Sequence, residues 1–341
     1  MTHPFDTLTP DVILDALESV GLRGDGCIVA LSSYENRVYQ VRLEDRSEVV
    51  VKFYRPQRWN TAQILEEHAF SAELMAADIP VVGPLKLHGT TLHHHAGFDF
   101  SISPRRGGRP PELDDDDVLE WIGRLLARLH TVGSQQAFLY RPTLNLLSFG
   151  TQPMLWLLQH PIIPLDVQTL WGDTCAQTLQ AIATVAPVLD PAHSPIQSGT
   201  ASLLRVHGDC HPGNILWTPA DAPTNLGPGP HFVDLDDACM GFAVQDFWML
   251  LSGERAQCTR QLSILLEGYE TFRTFNPQEL KLIEPLRALR IIHYSAWLAR
   301  RWDDPAFPLH FPWFGSRDYW LGQVHTLQEQ LEAMQEPPLC P

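Results

Sequence analysis

The chain has 341 residues, with 24 basic against 40 acidic side chains and a formal charge of −16, length enough for one large domain or two lobes. Such an excess of acid argues against a protein whose affinity comes from neutralising nucleic-acid phosphates or anionic lipid. With 44% hydrophobic and 19% charged residues the composition is that of a globular chain with material for a core, not a disordered one.

Residues Met1 to Pro10 lack the basic flank and apolar stretch of a secretory leader, and no apolar run nears the roughly 18 residues of a membrane span. Six scattered cysteines without a C-x-x-C pair suggest reduced thiols and a cytoplasmic location. Thr9-Pro10-Asp11 reads as a cap, and apolar residues from Val12 to Val20 support a short helix that ends at Gly21. Three β-rich runs follow, Cys27 to Leu31, Val38 to Leu43 and Val49 to Tyr54, forming an antiparallel meander. Thr61 to Ala77 has helical spacing, and Ile79-Pro80 stops it. Two more extended runs are expected, near Pro84 to His88 and at Phe98 to Ser103, with His93-His-His95 in a hairpin turn. The proline, glycine and arginine run from Pro104 to Pro111 marks a lobe boundary, giving an N-terminal lobe of residues 1–103 and a C-terminal lobe of residues 104–341.

Beyond it the chain is mostly helical: Asp114 to His130, a proline-broken stretch to about Leu165, then Val167 to Leu189. A second β-rich island covers Leu203 to Asp237. Helices return at Ala243 to Leu251, Arg260 to Phe272, Pro277 to Arg301 and Tyr319 to Gln335. The aromatic cluster from Trp297 to Trp320 is expected to be core.

The island holds the most informative stretch, Val206-His-Gly-Asp-Cys-His-Pro-Gly-Asn-Ile-Leu-Trp217. Asp209 and Asn214 have the D-x-x-x-x-N spacing of a kinase catalytic loop, in which a carboxylate faces the attacking hydroxyl and an amide oxygen faces a metal ion. An isolated pair of this kind more often stabilises its own turn. Here it has company. His231-Phe-Val-Asp-Leu-Asp-Asp237 is a strand ending in carboxylates, and Asp234 at its tip suits Mg²⁺, which takes one or two carboxylates plus phosphate oxygens. Asp236 shares its face if the strand continues and has a minor part. Lys52 lies inside the apolar run Val49 to Tyr54 and needs an anion. Glu67, on the apolar side of the following helix, is the candidate partner, whereas Glu66 sits a step round and is expected to be solvated. No glycine-rich phosphate loop is present, so the turn Leu31 to Arg37, with the Ser32 or Ser33 hydroxyl, would have to cover phosphates.

The set His207-Gly-Asp-Cys-His-Pro-Gly-Asn214, Asp234-Leu-Asp-Asp237, Ser33-Tyr-Glu-Asn-Arg37 and Val51-Lys-Phe-Tyr-Arg-Pro56 resembles the bacterial stress response kinase A (YihE/RdoA) family. These are Ser/Thr protein kinases within the aminoglycoside phosphotransferase and choline kinase superfamily. The likeness extends over nearly the whole chain, through Glu284-Pro-Leu-Arg-Ala-Leu-Arg290 to Gln335-Glu-Pro-Pro-Leu339. It implies an α+β, protein-kinase-like bilobal fold with a small antiparallel-sheet N-lobe carrying one main helix and a large, mainly helical C-lobe. It implies ATP and Mg²⁺, a protein substrate with a Ser or Thr acceptor, neither nucleic acid nor membrane as partner, and a monomer. Asp209 carries over as the catalytic base, Asp234 as a catalytic and metal residue, Asn214 as the second metal ligand, Lys52 and Ser33 as nucleotide contacts and Glu67 as the lysine's partner. The proline- and glycine-rich loop Thr218 to His231 is longer than such a hairpin needs, and no D-F-G or A-P-E segment occurs. The rival expectations are a small-molecule hydroxyl kinase of aminoglycoside, choline or homoserine type and a catalytically silent nucleotide-binding scaffold.

Overall fold

The computed structural model describes residues 3–192, 202–219 and 227–341, and the middle of the long loop after Thr218 lies outside them. It divides into two compact units. The first comprises Met1–Glu112, Leu139–Arg141 and His211–Ala238; the second comprises Leu113–Phe138, Pro142–Cys210 and Cys239–Pro341. This is a division by packing, and it differs from the functional lobes read from the sequence in giving residues 104–112, 139–141 and 211–238 to the first unit.

In the first unit, Thr9 caps α1 (Pro10–Ser19) by accepting the Val12 N–H, with Pro10 supplying a pre-set φ at the first helical position. The sheet is formed by β1 (Gly24–Ala30), β2 (Arg37–Leu43), β3 (Glu48–Phe53), β4 (His93–His95) and β5 (Phe98–Pro104). Its order is β1-β2-β3-β5-β4, every pair antiparallel. Ile13, Ala16 and Leu17 of α1 pack on Val41, Val51, Phe53, Phe100 and Ile102 from alternate strand positions, which gives the unit its apolar core. Helix α2 (Thr61–Ala76) opens with a reciprocal capping box between Asn60 and Gln63. The fourth strand is not Pro84 to His88 but the histidine triplet. Ala96 and Gly97 both take positive φ, +48° and +87°, so they form the tight turn and leave His93–His95 free to pair with Phe98–Phe100. The hairpin of β7 (Ile215–Thr218) and β8 (Gly229–Phe232) joins this unit through Val81 and Arg109, which bridge to Phe232 and Trp217.

The second unit is mainly helical. Its helices are α3 (Asp116–Gly133), α4 (Gln152–Gln159, preceded by a π-helical turn), α5 (Leu165–Val185), α6 (Val244–Trp248), α7 (Arg255–Glu270), α8 (Ile283–Ala299), α9 (Ala306–His310) and α10 (Arg317–Ala333). A two-stranded ladder pairs β6 (Leu204–Val206) with β9 (Cys239–Gly241). Helices α3 and α7 cross at glycines: a Cβ on Gly123 would lie 2.1 Å from the Leu265 carbonyl oxygen, and one on Gly268 would lie 2.1 Å from that of Glu120. The late aromatic cluster is largely core, with Trp320 fully buried edge-on against Trp171 and Phe307 against Trp297.

Candidate active site

In the first unit, Ile215 pairs with Phe232, and one step beyond the ladder the Val233 N–H donates to the Asn214 carbonyl at 3.0 Å. Asn214 and Asp234 therefore leave adjacent strand ends side by side. The strand does not run on through the carboxylates. Asp234 adopts the left-handed conformation (φ 57°, ψ 61°), and Leu235–Asp237 is a 3₁₀ turn, so alternation along a strand cannot decide which aspartate faces the site.

That kink brings two carboxylates to Lys52. Its Nζ lies 2.8 Å from Asp234 Oδ1 and 3.2 Å from Asp236 Oδ1. The ion pair expected with Glu67 is not among its contacts. Glu67 is buried, but its carboxylate accepts the Ser71 hydroxyl at 3.0 Å, one turn along its own helix. Burial pushes the Glu67 carboxyl up to about 7, against the opposing charges of Lys52 and Arg141. Burial alone would lower Lys52, yet the two aspartates outweigh it and hold the ammonium charged. Glu66, expected in solvent, instead accepts the backbone N–H groups of Leu139, Tyr140 and Arg141 and ties α2 to that segment.

The two aspartates differ in exposure. The Asp234 side chain is 54% accessible, while Asp236 is 5%. Asp236 Oδ2 accepts Arg58 Nη1 at 2.7 Å and Asn36 Nδ2 at 3.1 Å. Burial raises the Asp236 carboxyl, but Lys52, Arg58 and Arg141 pull it well below the usual range. Asn36 also accepts the Arg55 N–H at 3.0 Å, Arg55 Nε lies 3.0 Å from Glu35 Oε1, and Arg58 lies 3.3 Å from Glu35 Oε2. Ser33 donates its hydroxyl to the Asn36 carbonyl at 2.9 Å. The turn from Leu31 to Arg37 is thus pinned to the carboxylate loop through buried Glu35 and Asn36. Sequence reading gave no role to Glu35, Asn36, Arg55 or Arg58; the signal was two arginines directly after an apolar strand, which need acids as surely as Lys52 does.

Asp209 belongs to the second unit, two residues before the chain crosses at Cys210 to His211. A fully buried Asp246 on α6 grips the backbone ahead of it, accepting the His207 N–H at 2.8 Å and the Gly208 N–H at 2.9 Å. His130 Nε2 meets the same carboxylate at 3.0 Å, with Tyr269 at 3.1 Å on the other ring nitrogen. Gln245 donates to the Gly208 carbonyl at 2.9 Å. Asp209 itself is paired, Oδ1 to Arg290 Nη2 of α8 at 2.8 Å. Asp246 and Gln245 are again residues that spacing did not single out, because they come from distant helices.

The model of the phosphotransferase enzyme family (APH) matches residues 28–283. Stress response kinase A of Escherichia coli strain K12 is 46% identical over 335 residues, 98% of this chain and 96% of that protein. Serine/threonine protein kinase RdoA of Salmonella typhimurium strain LT2 is 44% identical over the same shares. The chain belongs to the stress response kinase A family of phosphotransferases. Among solved structures the kinase is similar to the amicoumacin kinase hAmiN, at 19% identity and a TM-score of 0.67 over 97% of this chain and 95% of that one. It is similar also to a microcompartment-associated aminopropanol kinase, at 15% identity and a TM-score of 0.68 over 96% and 98%. These likenesses show the kinase-like bilobal fold: a five-stranded antiparallel sheet with its helix, then a mainly helical lobe.

Among the described residues the kinase has no cluster of three or more histidine, cysteine or acidic side chains able to hold a metal. The oxygen donors at Asn214 and Asp234 nevertheless fit Mg²⁺, which takes few protein ligands and completes its shell with water and phosphate. Asp234, being half-exposed, is placed to lend an oxygen; Asp236 is committed to Arg58 and Asn36.

Proposed function

We propose that this kinase transfers the γ-phosphoryl group of ATP to a Ser or Thr hydroxyl of a protein, in the cytoplasm and as a monomer. The observation that carries the reading is the Lys52–Asp234–Asp236 cluster beside Asn214, encoded five residues after Asp209. Residues 1–103 would bind nucleotide and residues 104–341 would bring the base and the acceptor surface. Asn214 and Asp234 would hold Mg²⁺, which supplies charge neutralisation at the β- and γ-phosphates when bound. Lys52 would exchange a carboxylate for a phosphate oxygen, with Ser33 on the covering turn and Glu67 as a buried carboxyl acting on it through its field. The acceptor oxygen forms its bond to Pγ as the bond to the ADP oxygen breaks, and Asp209 takes the hydroxyl proton.

Labelled ATP offered with a generic protein acceptor and a panel of small alcohols tests this. Label is expected on protein Ser or Thr. Asp209→Asn should cut transfer by about 10²- to 10⁴-fold with nucleotide binding retained. Label confined to a small alcohol would replace the protein-kinase reading, and transfer by Asp209→Asn within tenfold of wild type would remove Asp209 from the base role.

A further inference from the structure

Within the second unit, α8 sets a cation against the residue assigned as base: Arg290 Nη2 lies 2.8 Å from Asp209 Oδ1. The helix fixes the root of that side chain, because Leu286, Leu289 and Ile292 around it are buried while Arg290 itself is partly exposed. Arg287, on the preceding turn, is committed elsewhere, to Glu284 at 3.0 Å and to the face of Trp248. Arg290 is committed to Asp209 alone. Among the described residues its remaining guanidinium nitrogens, Nε and Nη1, make no hydrogen bond or ion pair.

Two ordinary reasons for an ion pair do not account for this one. The side chains of Arg290 and Asp209 are 38% and 18% accessible, and a pair that open to water adds little to stability. Nor does Asp209 need Arg290 to aim it. Its loop is already held from α6, where Asp246 accepts the His207 and Gly208 N–H groups and Gln245 donates to the Gly208 carbonyl. For proton abstraction the arginine is a handicap, because an adjacent cation makes a carboxylate harder to protonate. Phosphoryl transfer tolerates that handicap. Its transition state is loose, with charge spread over three equatorial oxygens, and catalysis is almost entirely positioning and electrostatic stabilisation. Arginine suits the task, since a planar fork of five donors can hold a carboxylate oxygen with one nitrogen and a phosphoryl oxygen with another.

We propose that Arg290 is a catalytic residue, whose open guanidinium N–H groups bind an equatorial oxygen of the phosphoryl group in transfer while Nη2 stays on Asp209. The inference rests on the phosphotransfer reading with Asp209 as base, and it names the cation on the acceptor side of the reaction. The bond from the acceptor oxygen to Pγ forms as the bond from Pγ to the ADP oxygen breaks. The hydroxyl proton goes to the Asp209 carboxylate, and Arg290 keeps all of its own. Reach permits this. The acceptor hydroxyl must come within about 2.6–3.2 Å of the Asp209 carboxylate, and the guanidinium already lies at 2.8 Å from it, so the open nitrogens border the atoms being joined.

The test compares the wild type with Arg290→Ala and Arg290→Lys on whichever acceptor takes label from ATP. Arg290→Ala is expected to lower kcat by roughly 10²- to 10³-fold, the effect of removing one donor from a developing oxyanion, with the KM for ATP and the affinity for ADP little changed. Guanidinium ion at a concentration too low to denature should raise the kcat of the alanine variant by about tenfold or more and that of Asp209→Asn not at all. Calorimetry with ADP, Mg²⁺ and aluminium fluoride, a mimic of the phosphoryl group in transfer, supplies a readout apart from activity. The fluoride should tighten ADP binding in the wild type and not in Arg290→Ala; a residue that only held Asp209 in place would leave that tightening intact. Arg290→Lys, the variant to read if alanine does not fold, keeps a cation without a fork, and its kcat is expected about tenfold or more below wild type. A kcat for Arg290→Ala within tenfold of wild type, a wild-type kcat for Arg290→Lys, or the same fluoride effect in wild type and alanine variant overturns the inference. Label on a small alcohol alone overturns the protein-acceptor reading instead, and the same comparison on that alcohol decides the role of Arg290.

Discussion

Lys52 has two aspartates for company, and they do different work. Asp236 is buried between Lys52, Arg58 and Asn36, so Asp236→Ala removes one buried partner from each, leaving Lys52 with Asp234 and Arg58 with Glu35 and Asp237. A loss of about 1–3 kcal/mol is expected. Asp234→Ala removes a half-exposed partner and should change stability by no more than about 1 kcal/mol, while Mg²⁺-dependent nucleotide binding disappears. Urea unfolding and calorimetry on both variants check this, and the opposite pattern would make Asp236 the metal ligand. Glu67 offers a pH signature. Its folded carboxyl is pushed from 4.5 up to about 7, so between those values the native state keeps a proton that the unfolded chain has released. Stability attributable to this group therefore falls as pH rises through that window, and the cost is complete above it. Glu67→Gln cannot ionise. Relative to wild type it should gain stability from pH 4.5 to 7, by up to about 3 kcal/mol, and unfolding curves at pH 5 and 7.5 measure the difference. A constant difference would mean that Glu67 titrates normally.

At the level of elements, the catalytic-loop backbone depends on helices far away in sequence. Asp246 holds it directly, and α3 supports Asp246 through His130. Helix α3 is in turn seated by its crossing with α7, where backbone meets backbone at Gly123 and Gly268. A methyl group there meets a carbonyl oxygen, which cannot rotate away as a side chain could. Gly268→Ala should therefore destabilise by about 1–3 kcal/mol, although alanine is the better helix former. The kcat should fall with it, because His130 moves with α3. Chemical denaturation and steady-state rates on the same preparation are the check; unchanged stability would show that the helices can part without cost.

Over the whole molecule, the chain passes between its two units five times, at 112/113, 138/139, 141/142, 210/211 and 238/239. The first unit is therefore discontinuous, and the segment His211–Ala238 carries the acids that Lys52 and Arg58 need. A fragment of residues 1–112 keeps the sheet and α1 but loses Asp234, Asp236 and the hairpin. It is expected to show no cooperative thermal unfolding under conditions where the full chain does. A sharp calorimetric transition in the fragment would show that the apolar core suffices without the charge network.

Local pattern was enough for much of this. Period-2 runs gave the meander, 3.6-residue spacing gave α2 and the late helices, and a five-residue interval named Asp209 and Asn214, because each signal is carried by neighbours in sequence. The lysine in an apolar strand announced that an acid must exist. Which acid it was depended on the left-handed turn at Asp234, a single backbone torsion with no signature in residue spacing, and so Glu67 was named where Asp234 and Asp236 stand. Glu66 was read as solvated because a helix-face count cannot see the three N–H groups of Leu139, Tyr140 and Arg141, 73 to 75 residues onward. The histidine triplet was read as a turn because its pairing rests on Ala96 and Gly97 adopting positive φ, a choice settled by the sheet around them. Asp246 was beyond reach for the same reason. Charges in water are cheap and need no particular partner; buried ones must be met by specific groups, and only the folded chain fixes which distant residues supply them.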